Sequence, residues 1–189
     1  MSDSEDPYSL TLPSDVKQAV VHSNHQQKIH RVLFDRQGIK KEFFVTETGA
    51  RSGILVVCND SILMVRQYRL ILDAESLEIP GGKVDAKETP KDAALRECYE
   101  ETGVKCLNAK MLLPYHVGLD TTYNPTFIFY ATEFNQPVKQ LKANPAEVVE
   151  TYWVPINDSL KSIASGDIMD VMTITAILGF NSLIKSTCI

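Results

Sequence analysis

Between Thr89 and Gly103 the chain spells out a helix whose ends and faces can both be read. Thr89 is a good N-cap because its hydroxyl can accept from a free N–H of the first turn, and Pro90 suits the first helical position, where its missing N–H costs nothing. Gly103 is a natural C-cap. At about 100° per residue, Glu97, Glu100 and Glu101 fall within one arc, and Ala94, Leu95 and Cys98 within a neighbouring one. One side packs; the other is a dense carboxylate cluster. Like charges three and four residues apart destabilise a helix by about a few tenths of a kcal/mol per pair, so the cluster needs solvent or a cation. Mg²⁺ suits it, preferring hard oxygen ligands and commonly joining a few carboxylates to substrate phosphates. The competing arrangement is a solvated helix face on which Arg96 pairs with Glu100 at i,i+4.

Strand patterns surround this helix. Residues 53–58 form a nearly unbroken apolar run, typical of a strand covered on both faces, and residues 61–67 follow across an Asn59-Asp60 turn. Further strands are expected at 110–115, 126–132 and 148–154, and helices at 90–102, 159–165 and 169–183. Strands with interspersed helices indicate a mixed-sheet α/β sandwich. Ahead of it, β-prone runs at 28–33 and 40–46 flank Asp35-Arg36-Gln37-Gly38, whose glycine suits a hairpin turn. Residues 1–26 are polar, with Pro7 and Pro13, and read as a loosely ordered lead-in. The organisation expected is therefore lead-in 1–26, hairpin 27–48 and main domain 49–189.

At 189 residues the chain is long enough to bury one core without disulfide or metal staples. Cys58, Cys98, Cys106 and Cys188 contain no CxxC pair and are expected to be reduced, largely buried thiols. A net charge of −5 with no basic block argues against a sequence-independent grip on nucleic acid. No apolar run approaches the roughly 20 residues of a membrane span, and the acidic N-terminus lacks the pattern of a secretory signal, so a cytoplasmic location is expected. His22, His25 and His30 lack the carboxylate or cysteine framework of a transition-metal site.

Gly82-x5-Glu88-x7-Arg96-Glu97-Cys98-x-Glu100-Glu101-x-Gly103-Val104 matches every fixed position of the Nudix box, Gly-x5-Glu-x7-Arg-Glu-U-x-Glu-Glu-x-Gly-U with U apolar. The chain is thereby identified as resembling the Nudix hydrolases. The resemblance implies an α/β/α sandwich with a mixed sheet, a loop-helix-loop at the box, and Glu97, Glu100 and Glu101 as ligands of Mg²⁺, with Mn²⁺ as the alternative. Glu88 and Arg96 are expected to support those ligands, the guanidinium pairing with a box glutamate.

Arg66-Gln67-Tyr68-Arg69, a short loop, and Leu77-Glu78-Ile79-Pro80-Gly81-Gly82 look like the branch that hydrolyses ADP-ribose and other nucleoside diphosphate sugars. By that resemblance Arg69 contacts phosphate or ribose, Glu78 positions substrate, and the Gly81 carbonyl reaches a metal. Pro145-Ala146-Glu147 with the following strand resembles the segment that brings a further active-site carboxylate, which makes Glu147 the candidate and Glu150 the reserve. The segment His116 to Pro125 departs from the branch, with Val117 where a proline is expected before Gly118. The resemblance also implies a two-fold homodimer built on the N-terminal hairpin.

The reaction expected is metal-dependent hydrolysis of a pyrophosphate bond, giving a nucleoside monophosphate and a sugar phosphate, with Glu101 or Glu147 taking a proton from water. The alternatives are a nucleoside triphosphate pyrophosphatase and a catalytically idle nucleotide sensor.

Overall fold

A computed structural model describes residues 6–135 and 148–183. The elements run β1 (Lys17–Ser23), β2 (Lys28–Arg36), β3 (Ile39–Glu47), β4 (Arg51–Cys58), β5 (Ser61–Arg69), β6 (Ala74–Glu78), β7 (Gly81–Lys83), α1 (Pro90–Thr102), β8 (Lys105–Cys106), β9 (Lys110–His116), β10 (Thr122–Tyr123), β11 (Pro125–Ala131), β12 (Phe134–Asn135), β13 (Val148–Pro155), α2 (Ile156–Ser165) and α3 (Val171–Leu183). The central sheet has the path β13-β5-β4-β11-β9, with β4 and β11 parallel and the other pairings antiparallel.

Alternation along its strands builds a three-layer sandwich. Ile54 and Val56 of β4, Leu63 of β5 and Phe129 of β11 pack with Ala94 and Cys98 of α1. Their neighbours Leu55, Ile62, Met64 and Ile128 face the other way, onto Met172, Ala176, Ile177 and Phe180 of α3 and Ile156 of α2. Both faces are covered, which is why residues 53–58 read as continuously apolar. Each fully buried aliphatic chain of this kind contributes about 1.5–3 kcal/mol relative to exposure. Cys98 and Cys106 meet in the α1-side core with sulfurs 3.9 Å apart, as free thiols.

The strands that carry the site diverge. β4 and β5 pair only at Val57–Ile62 and Cys58–Ser61, around a turn in which Asn59 and Asp60 both have positive φ. Beyond that they separate; β6 pairs with β5 and β7 with β4, so the segment leading to α1 fills the split.

β2 and β3 join through Gln37 and Gly38, at φ 53° and 79°, as the hairpin sequence suggested. Residues 8, 10 and 17–23 of the expected lead-in are built into the fold. β1 pairs with β2, Tyr8 packs edge-on against Phe127, and the Leu10 N–H donates to Glu47. All seven β1 residues are exposed, so no apolar alternation announces the strand. β10 then pairs in parallel with β3, tying this second sheet to the main one. Among the described residues no helix is long and apolar enough to cross a membrane.

Candidate active site

α1 starts and stops where its sequence dictates. The Thr89 hydroxyl accepts from the Asp92 N–H, and Gly103, at φ 73°, donates its N–H to the Tyr99 carbonyl. This fixes the rotation of the helix. Ala93, Ala94 and Cys98 are turned into the protein, while Arg96, Glu97, Glu100 and Glu101 form an adjoining flank that runs from the surface into the half-buried edge of that face.

Arg96 organises that flank. Its Nε and Nη2 donate to the two Glu88 oxygens, both at 3.0 Å, Nη1 donates to Glu97 at 2.8 Å and Glu100 at 3.1 Å, and Nη2 also reaches the Lys83 carbonyl. The Glu100 contact is the i,i+4 pair of the solvated-face arrangement, but it is one arm of a larger network. Glu88 is held below the usual carboxylate range, chiefly by its hydrogen bonds from Arg96. Glu97 lies above that range because burial outweighs Arg96.

Glu101 points into the split between β4 and β5. One carboxylate oxygen accepts from the Gln67 amide at 3.0 Å and the other from the Gly81 N–H at 3.1 Å. Burial nevertheless pushes it up to about 8, with Glu97 and Glu78 raising it further and the two hydrogen bonds opposing. Glu78, 4% exposed, receives Nε and Nη2 of Arg69 on its two oxygens, a fork-on-fork pair that holds the guanidinium rigidly.

The two glycines of the box loop are required by close approach. A Cβ on Gly81 would lie 2.6 Å from the Ser52 carbonyl oxygen, and one on Gly82 would lie 2.3 Å from a Glu97 oxygen. Gly82→Ala should therefore leave stability within about 1 kcal/mol, since the flexible carboxylate can swing aside, but lower turnover roughly 100-fold by displacing it. Denaturation and steady-state rates on the same preparation check both halves.

The structure thus gathers Arg69, Glu78, Gly81, Glu88, Arg96, Glu97, Glu100 and Glu101 around one end of the sheet. Glu147 lies outside the described residues, and Glu150, on β13, is exposed and accepts from the Tyr152 hydroxyl. Among the described residues no three His, Cys, Asp or Glu side chains converge on a single metal-binding point; the carboxylates are turned onto Arg96, Gln67 and Gly81. Their chemistry still fits a hard divalent cation: they are oxygen donors on one helix flank, and burial disfavours the charge of two of them. His30, by contrast, is committed to a buried pair with Glu47 at 2.7 Å.

Sequence reasoning assigned no role to Gln67, Arg51 or Asp170. Gln67 stands inside a string it had singled out, but its partner is 34 residues away. Arg51, at the start of β4, and Asp170, ahead of α3, line a cavity of about 260 Å³ beside Arg69 together with Tyr115. Arg51 offered only a charge at the head of an apolar run.

Comparison with known proteins agrees with this geometry. The model of the NUDIX domain matches residues 48–169. An ADP-ribose pyrophosphatase of Bacillus subtilis (strain 168) is 30% identical over 137 residues, covering 72% of this chain and 74% of the relative. An ADP-sugar pyrophosphatase of Mus musculus is 31% identical over 109 residues, covering 54% and 49%. The crystal structure of an ADP compounds hydrolase superposes with a TM-score of 0.78 at 16% identity, covering 95% of this chain and 97% of that one, a likeness of fold. With the box on a capped helix, its glutamates beside the β4–β5 split and the domain matched over most of the chain, the protein belongs to the Nudix family and is a pyrophosphatase hydrolase of it.

Proposed function

We propose that the chain hydrolyses the pyrophosphate bond of a nucleoside diphosphate sugar, with ADP-ribose the first compound to test, using Mg²⁺ or Mn²⁺ held by Glu97, Glu100 and Glu101 with the Gly81 carbonyl. The observation that carries the metal is the setting of Glu97 and Glu101, whose carboxyls burial pushes above their ordinary range while Arg96 is shared among three glutamates. The relatives that act on ADP-ribose and ADP-sugars support the substrate class.

When bound, the cation would neutralise pyrophosphate oxygens and acidify a bound water. Glu101, gripped at its two oxygens by the Gln67 amide and the Gly81 N–H, is one candidate to take the proton of that water. Glu147 is the other candidate for that proton. Arg69 spends Nε and Nη2 on Glu78, which aims its remaining Nη1 edge for a phosphate oxygen. Arg96 orients Glu97 and Glu88 and touches no substrate in this scheme.

A thermal-unfolding series tests the metal without using activity. The Glu101 carboxyl is raised in the folded state from 4.5 to about 8, so the folded protein holds a proton that the unfolded chain releases. The stability this gives is fully present below about 4.5 and is lost as pH rises through about 8. Metal-free protein should lose Tm across that window, and millimolar Mg²⁺ should raise Tm more at pH 8 than at pH 6. An equal shift at both values, or none, would sink this ligand assignment.

The same reading makes residues 28–47 a contact between two copies, and Leu33, Ile39 and Phe44 on that hairpin are exposed. A monomer by sedimentation velocity at micromolar concentration would remove it.

A further inference from the structure

We propose that the cavity bounded by Arg51, Tyr115 and Asp170 seats the terminal sugar of the substrate, with the Asp170 carboxylate accepting from its hydroxyls and the Arg51 guanidinium donating to them; this rests on the nucleoside diphosphate sugar reading above. The cavity adjoins Arg69, so a group entering it continues directly from a phosphate held by that guanidinium. Its volume is about 260 Å³. It falls below the about 300–1,000 Å³ of pockets that take drug-sized ligands, which suits one ring and not a second nucleoside.

Charge selects what kind of ring. Arg69 is balanced by Glu78, leaving one cation, Arg51, and one anion, Asp170, on the walls. An uncharged, hydroxyl-rich group satisfies both. A further phosphate would meet the Asp170 carboxylate. Arg51 forms no ion pair among the described residues, and its field is felt at Glu97 and Tyr115, which sets it between the carboxylate flank and the cavity.

Asp170 is pre-organised. Its Oδ2 accepts from the Thr173 N–H at 2.8 Å and the Thr173 hydroxyl at 2.6 Å, capping α3 and fixing the carboxylate plane, while Oδ1 keeps its acceptor capacity. Thr173 in turn accepts from the Ile79 N–H, so this cap is tied to the loop that carries Gly81. Tyr115 remains a neutral hydroxyl, pushed up to about 12 first by burial and then by Asp170. Asn124 is spent on Thr48, Gly49 and Thr126 and shapes the wall without binding. Met172 and Val117 supply apolar surface for the C–H face of a ring.

The test compares wild type, Asp170→Asn and Arg51→Gln with ADP-ribose and Mg²⁺, measuring kcat, KM and inhibition by the two products, ribose 5-phosphate and AMP. Asparagine can still cap α3, and Arg51 is exposed, so both variants should melt near wild type. KM for ADP-ribose and the inhibition constant for ribose 5-phosphate should each rise roughly 10- to 100-fold, as for loss of a charge-assisted hydrogen bond. The AMP constant should stay within about twofold, and kcat should fall less than KM rises. Weakened AMP inhibition would make the cavity a base site and overturn the proposal; so would no change in any constant. Failure of the wild type to cleave any nucleoside diphosphate sugar would remove the underlying reading, and this inference with it.

Discussion

Glu101→Gln should lower turnover by roughly 10²–10⁴-fold, the contribution of a positioned proton acceptor, while the protein stays folded. Glutamine fills the same space and offers one oxygen and one NH₂ to two donors, the Gln67 amide and the Gly81 N–H, so one hydrogen bond is lost. Against that loss, the buried charge is gone. The variant should therefore be nearly as stable as wild type at neutral pH, and its metal-free Tm should no longer fall between pH 5 and pH 8. Rate and Tm measured together separate a lost proton acceptor from a damaged fold.

The second large effect is expected from Arg96→Ala. It strips Glu88 and Glu97 of their shared cation and leaves both in a partly buried flank. Removing one partner of a fully buried pair costs about 3–5 kcal/mol, and exposed pairs contribute about 0–1, so a site 28% exposed on the Arg96 side should lose about 1–3 kcal/mol. Glu88 is depressed in the folded state, so its contribution is present above its ordinary range and lost on acidification. The deficit should accordingly be full at pH 7 and shrink as Glu88 protonates. Turnover should fall roughly 10- to 100-fold because Glu97 and Glu100 lose their orienter. Arg96→Lys should recover little, because a single ammonium cannot address both Glu88 oxygens and two further glutamates. Urea unfolding at two pH values and steady-state kinetics check these outcomes.

Much of this was legible in the sequence because it is local. Thr89, Pro90 and Gly103 act within one turn of their own positions, and the 3.6-residue period places Glu97, Glu100 and Glu101 on one flank without knowledge of the rest of the chain. The apolar run of β4 disclosed a strand covered on both sides. What sequence could not disclose was non-local. β6 and β7 exist because β4 and β5 separate, a decision taken by pairing partners and not by propensity. β1 is an edge strand with no buried residue, so its ladder is its sole structural signal. Gln67 and Glu101 are brought together by β5 and α1, and Arg51 and Asp170 by β4 and the cap of α3; neither meeting leaves a trace in spacing.

The central claim is tested most directly by phosphate-product release with Mg²⁺ across ADP-ribose, other nucleoside diphosphate sugars, dinucleoside polyphosphates and nucleoside triphosphates, with Glu101→Gln alongside. The account predicts turnover concentrated on nucleoside diphosphate sugars, dependent on the cation and lost in the variant. Preference for triphosphates, or full activity in Glu101→Gln, would contradict it.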